Sequence, residues 1–143
     1  MDRADVQPVA RSFVRVKGDP LARTFYDRFL ASDPEVRRLF AHTDFDRQRD
    51  LFLHGIYSLI DYARGGATGR LGIKRLARLH GPDSMQVTRP MFDLWIVCLL
   101  AALGEHDPQW SPELRKRWEQ VLRNGTDAMI ELGRASAQAS PSS

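Results

Sequence analysis

The segment Phe25-Tyr26-Asp27-Arg28-Phe29-Leu30-Ala31-Ser32-Asp33-Pro34-Glu35-Val36-Arg37-Arg38-Leu39-Phe40 contains two helices and the break between them. Leu21, Phe25, Phe29 and Leu30 recur at helical spacing and form one apolar face. Ser32-Asp33-Pro34-Glu35 then stops that helix and starts another. The aspartate offers an N-cap acceptor, and the proline occupies a first-turn position that needs no N–H partner. The new helix is short and ends near Leu39-Phe40. Gly18-Asp19-Pro20 is the same signal one helix earlier, with Asp19 as the expected N-cap. It separates a first helix, expected over 7–17 with Val9, Phe13 and Val14 inward.

Towards the C-terminus the pattern stays helical. A turn over 41–46 leads to a helix over 45–63, whose apolar stripe is Phe52, Ile56 and Leu59, flanked by Leu51, Gly55 and Ile60. Arg47, His54 and Asp61, seven residues apart, mark its wet edge. Glycines at 65, 66 and 69 read as a loop. A helix over 70–80 follows, stopped by Gly81-Pro82, then a long apolar helix over 88–103. His106 is placed in the turn Glu105-His106-Asp107-Pro108, far in sequence from the other residues of interest. The last helix is expected over 111–134 and a flexible tail over 137–143 after a single domain over 1–136. Period-two alternation is missing throughout, so the class is all-α with seven to eight helices. Their uneven lengths argue against a regular four-helix bundle.

Composition narrows the function. The chain has 143 residues, 43% hydrophobic and 27% charged, the balance of one ordinary globular domain. The longest apolar run, Leu94 to Leu103, is half of what a bilayer span needs, so no membrane partner is expected. No signal peptide is visible, and the lone Cys98 has no partner for an internal disulfide; it reads as a small core residue in a cytoplasmic protein. Net charge is +3, and 18 of 21 basic residues are arginine, but they are scattered. No nucleic-acid-reading motif is present. The glycines after 64 follow a helix rather than a strand and lack dinucleotide spacing. His42, His54, His80 and His106 never pair at three or four residues, which removes a helical zinc pair.

Three polar residues interrupt apolar faces. His80 follows Ile73 and Leu76 on the inward side of its helix. Gln48 heads the stripe of Phe52 and Ile56, where it also serves as a candidate cap. Tyr26 lies among Ala22, Phe29 and Leu30. Each has a plain reading as a hydrogen-bonded core residue. Together they can line one apolar pocket with polar points.

With these residues in this order, the chain resembles a bacterial single-domain globin over about Val9 to Leu132. Tyr26 matches the family's distal tyrosine, and Pro34, eight residues on, its short-helix proline. Phe40 matches the phenylalanine that lies against haem. Gln48 matches the distal glutamine, and His80, within Leu76-Ala77-Arg78-Leu79-His80, the proximal histidine. Val87, Phe92 and Trp95 fall where the family lines its pocket, and Trp118 and Met129 fit its last helix.

The resemblance implies a globin fold around haem b, with His80 on the iron and Tyr26 and Gln48 facing the gas ligand. Phe40, Phe52, Leu76, Leu79, Val87, Phe92, Trp95 and Met129 are the implied pocket walls. It implies reversible binding of O2, and of NO and CO. The enzymatic alternative is NO dioxygenation or other redox turnover with an external reductase, since no flavin domain is visible. The other alternative is a haem-free regulatory module. The carbonyl of Leu76 is the expected partner for the second nitrogen of His80. Glu131 is the candidate for the carboxylate that fills that role in some bacterial globins. His42 and Arg78 are candidates for the propionates.

Overall fold

The computed structural model describes residues 2–80 and 87–139. Seven α-helices and no strand occur among these residues: α1 (Arg3–Arg15), α2 (Gly18–Ser32), α3 (Pro34–Leu39), α4 (Phe45–Ala63), α5 (Ala67–His80), α6 (Arg89–His106) and α7 (Pro112–Ala139). The order matches the sequence reading, and the ends shift for local reasons. Asp2 caps α1 by accepting from the Ala4 N–H, so the helix starts four residues before the expected Gln7 and carries Pro8 inside it. Asp33 is the expected cap of α3, accepting from the Glu35 N–H at 2.8 Å. Asp19 is not the cap of α2; the helix begins at Gly18, and Asp19 pairs with Arg23 one turn on. The last helix runs to Ala139, five residues past its expected end. The expected stop at Gly81-Pro82 and the final residues 140–143 lie outside the described residues.

Val14 is a correction. It was expected inward, yet it is 84% exposed. The buried face of α1 is Val6, Val9 and Ser12. Ser12 can replace an apolar residue there because its hydroxyl both donates and accepts a hydrogen bond. It donates to Asp107 Oδ2 at 2.5 Å and accepts from the Trp118 indole N–H at 2.9 Å.

One core joins the helices, with Trp118, Phe25, Leu21, Ile56, Ile73 and Leu99 among its fully buried members. The pair α4–α5 shares the most extensive contact, and glycines allow it. Gly65 has a φ of +83° and reverses the chain after α4. A Cβ on Gly69 would lie 2.3 Å from the backbone nitrogen of Tyr62, so only glycine lets α5 approach α4 here. Cys98 is buried in α6, as expected of a core residue.

Candidate functional site

Asp44, not Gln48, caps α4; its carboxylate accepts from the N–H groups of Asp46 and Arg47. Gln48 is thereby free for another partner. Its Nε2 donates to the Tyr26 hydroxyl oxygen at 2.9 Å, tying the start of α4 to the middle of α2. With its oxygen occupied as an acceptor, the tyrosine keeps its own proton to give. Burial pushes the Tyr26 hydroxyl up to about 12, against the smaller opposing effect of Gln48, so it stays a protonated donor.

Aromatic rings surround this pair. Tyr26 meets Phe40, Phe45 and Phe52 edge-on, with centroids 5.5–5.8 Å away. Phe52 stacks on Phe25 at 4.4 Å, and Trp95 of α6 stands edge-on to both. The end of α3 and the first half of α4 therefore pack on the Tyr26 ring of α2, and α6 joins the cluster through Trp95 against Phe25 and Phe52. Phe45 was missed in the sequence because it reads as a turn residue. Its spacing was the available signal, since it lies three residues before Gln48 and seven before Phe52, on the same helical face.

His80 ends α5 as expected. Its Nδ1 lies 2.8 Å from the Leu76 carbonyl oxygen. A carbonyl only accepts, so Nδ1 carries the proton and Nε2 keeps a lone pair when the ring is neutral. Burial lowers the His80 pKa, against a smaller raising effect of the Leu76 bond, and favours that neutral form. Nε2 has no hydrogen-bond partner among the described residues. Phe92 of α6 lies 6.1 Å from the imidazole, and the Val87 N–H donates to the His80 carbonyl at 3.3 Å. Glu131 does not reach this ring; it is exposed and sits 3.9 Å from Arg134.

The remaining expected wall residues divide. Phe52, Phe92 and Met129 are core members, and Phe40, Leu76, Val87 and Trp95 pack against that core. Leu79 stands apart at 50% exposure. His42 and Arg78 are exposed, as is His54. His106 is the last residue of α6 rather than a turn residue, and its Nε2 lies 2.7 Å from Thr24 Oγ1.

A lone imidazole cannot hold a bare metal ion, and no group of three or more His, Cys, Asp or Glu able to do so occurs among the described residues. One neutral imidazole does fit a metal that arrives with most of its own ligands, as in haem. No helix among the described residues is long and apolar enough to cross a membrane.

No curated protein matches the chain. A crystal structure of a Pseudomonas aeruginosa protein, described as structurally highly homologous to a human hemoglobin, is similar at a TM-score of 0.82 and 31% identity. The alignment covers 90% of this chain and 98% of that one. A model of the Globin family matches residues 23–129. That span runs from α2 into α7 and takes in Tyr26, Gln48 and His80, and the chain belongs to the globin family.

Proposed function

We propose that this globin binds haem b and reversibly binds O2, with NO and CO as further ligands, using His80 Nε2 on the iron and Tyr26 with Gln48 at the ligand. Haem, when bound, supplies an iron with an open position for a diatomic gas. The observation that carries the reading is the 2.8 Å bond from His80 Nδ1 to the Leu76 carbonyl. It sets the tautomer, orients the ring and leaves Nε2 as the ligating atom.

On the other side, Gln48 holds the Tyr26 oxygen, and the hydroxyl proton is left to stabilise a polar ligand. Phe25, Phe40, Phe45 and Phe52 exclude water around that proton, which strengthens the bond it makes. The implied setting is the cytoplasm, where the single Cys98 remains a thiol.

The test is the ferrous visible spectrum of the purified protein with and without CO. A Soret band at one haem per chain, shifted by CO, is expected, and its loss in His80→Ala identifies the ligand. A wild-type protein that takes up no haem would make the chain a haem-free module. A His80→Ala variant with stoichiometric haem and an unchanged spectrum would remove His80 from the iron.

A further inference from the structure

The outer face of α5 is cationic and unpartnered. Arg70, Lys74, Arg75 and Arg78 are all exposed, and the helix contains no acidic residue. None of the four has an ion-pair partner among the described residues. Most arginines elsewhere are laced to carboxylates, such as Arg23 to Asp19, Arg115 to Glu119, Arg117 to Glu113, and Arg123 to both Asp93 and Glu119. Arg11, Arg37 and Arg47 have no such partner among the described residues, but each stands on a different helix, so only α5 gathers several unpaired cations on one face. Leu71, on the same side of α5, is 67% exposed. At 100° per residue the four cations and Leu71 fall within one half of the helix; buried Gly69 and Ile73 and half-buried Leu76 lie on the other half, and buried Ala77 sits at the border beside Arg70.

We infer that this face docks a small acidic electron-donor protein. The inference rests on the oxygen-binding reading, because a globin that loses an electron with its ligand needs one back. In that exchange the donor loses one electron, the ferric iron gains it, and no bond to this chain forms or breaks. Charge complementarity selects the partner. Four unpaired cations along one helix steer an acidic surface, and one protruding leucine gives the contact a small apolar centre. Position supports it as well. His80 lies on the same helix, about 9 Å along its axis from Lys74. A lipid surface fits less well, since the apolar face of α5 is already committed to the core and is not available to enter a bilayer.

Reduced flavodoxin, a small acidic flavoprotein, is the probe, mixed with the ferric holoprotein in a stopped-flow instrument. The variant Arg70→Glu/Lys74→Glu/Arg75→Glu is expected to slow reduction roughly ten- to hundredfold at about 10 mM salt, and the gap should close near about 0.5 M. A control with the same change in net charge, Arg11→Glu/Lys17→Glu/Lys116→Glu, is expected to stay within about twofold of wild type. Oxidised flavodoxin should shift backbone amide resonances of α5. If the charge reversal impairs folding, Arg70→Gln/Lys74→Gln/Arg75→Gln replaces it, with an expected slowing of about three- to tenfold.

An unchanged rate in the α5 variants, equal slowing in the control, or amide shifts on another face would each overturn the proposal. So would shifts confined to phosphatidylglycerol vesicles, which would make the face a membrane contact. Absence of haem would instead sink the oxygen-binding reading, while the amide map would still decide the docking face.

Discussion

Tyr26 and Gln48 are separate matches in the sequence and one unit in the structure. Because Gln48 donates to the tyrosine oxygen, the proposed gas-binding role gives Gln48 the task of aiming Tyr26 rather than of touching the ligand itself. Tyr26→Phe should therefore speed O2 release and change CO release much less, since O2 is the more polar ligand. A hydrogen bond to a charged acceptor is worth roughly 1.5–3 kcal/mol, which corresponds to about a 10- to 150-fold faster off-rate. Gln48→Leu should act in the same direction but more weakly, and the double variant should match Tyr26→Phe alone. Stopped-flow release of both gases measures this. Equal acceleration of O2 and CO would point to a widened exit, and additive effects would mean that Gln48 contacts the ligand independently. Replacing exposed His54 with alanine should leave the spectrum of the holoprotein as it is.

The α4–α5 hairpin sets the distance between the helix that carries Gln48 and the one that carries His80. Gly69→Ala places a methyl 2.3 Å from a backbone nitrogen that cannot swing aside, so the two helices must separate. The expected cost is about 1–3 kcal/mol, read as a lower urea midpoint. Gly133 in α7 is the opposite case, with nothing within 4 Å of a Cβ. Gly133→Ala should raise stability by about 0.4–1 kcal/mol through the unfolded chain and the helix propensity of alanine. If both glycines respond alike, propensity rather than helix spacing governs position 69.

Asp107 is the node of the whole molecule. Its buried carboxylate accepts from Ser12 and Arg15 of α1 and from the Gln109 N–H, and Ser12 passes the connection to Trp118 of α7. Burial alone would raise its pKa, but Arg15, Ser12 and the Gln109 N–H together outweigh it and hold the pKa below the usual carboxylate value. With the folded pKa below the unfolded value of about 3.9, the unfolded chain binds the proton more tightly in acid. The stabilisation is complete above that value and is lost as pH falls through the lower folded one. Asp107→Ala should cost about 2–3 kcal/mol at neutral pH, less than a fully buried pair because Arg15 keeps access to water. The gap between the urea midpoints of wild type and variant should begin to narrow below about pH 4 and close only below the lower folded pKa. A gap that persists in acid would assign the loss to packing instead of charge.

The sequence by itself determined the helical class, the element order and the three polar residues, Tyr26, Gln48 and His80, that interrupt apolar faces. These follow from periodicity and from stop signals such as Asp33-Pro34, which act within a few residues. It also placed the His80 ring against Leu76, because a contact four residues back on one helix is local. Other features were decided only when distant segments met. Val14 faces out and Ser12 in because Asp107 and Trp118, some hundred residues away, satisfy the serine hydroxyl. Phe45 joins the ring of aromatics because α4 starts beside Tyr26, and Asp44 caps that start, which leaves Gln48 to reach across. Residue spacing encodes which face a side chain occupies; which partner waits on that face depends on how the helices pack.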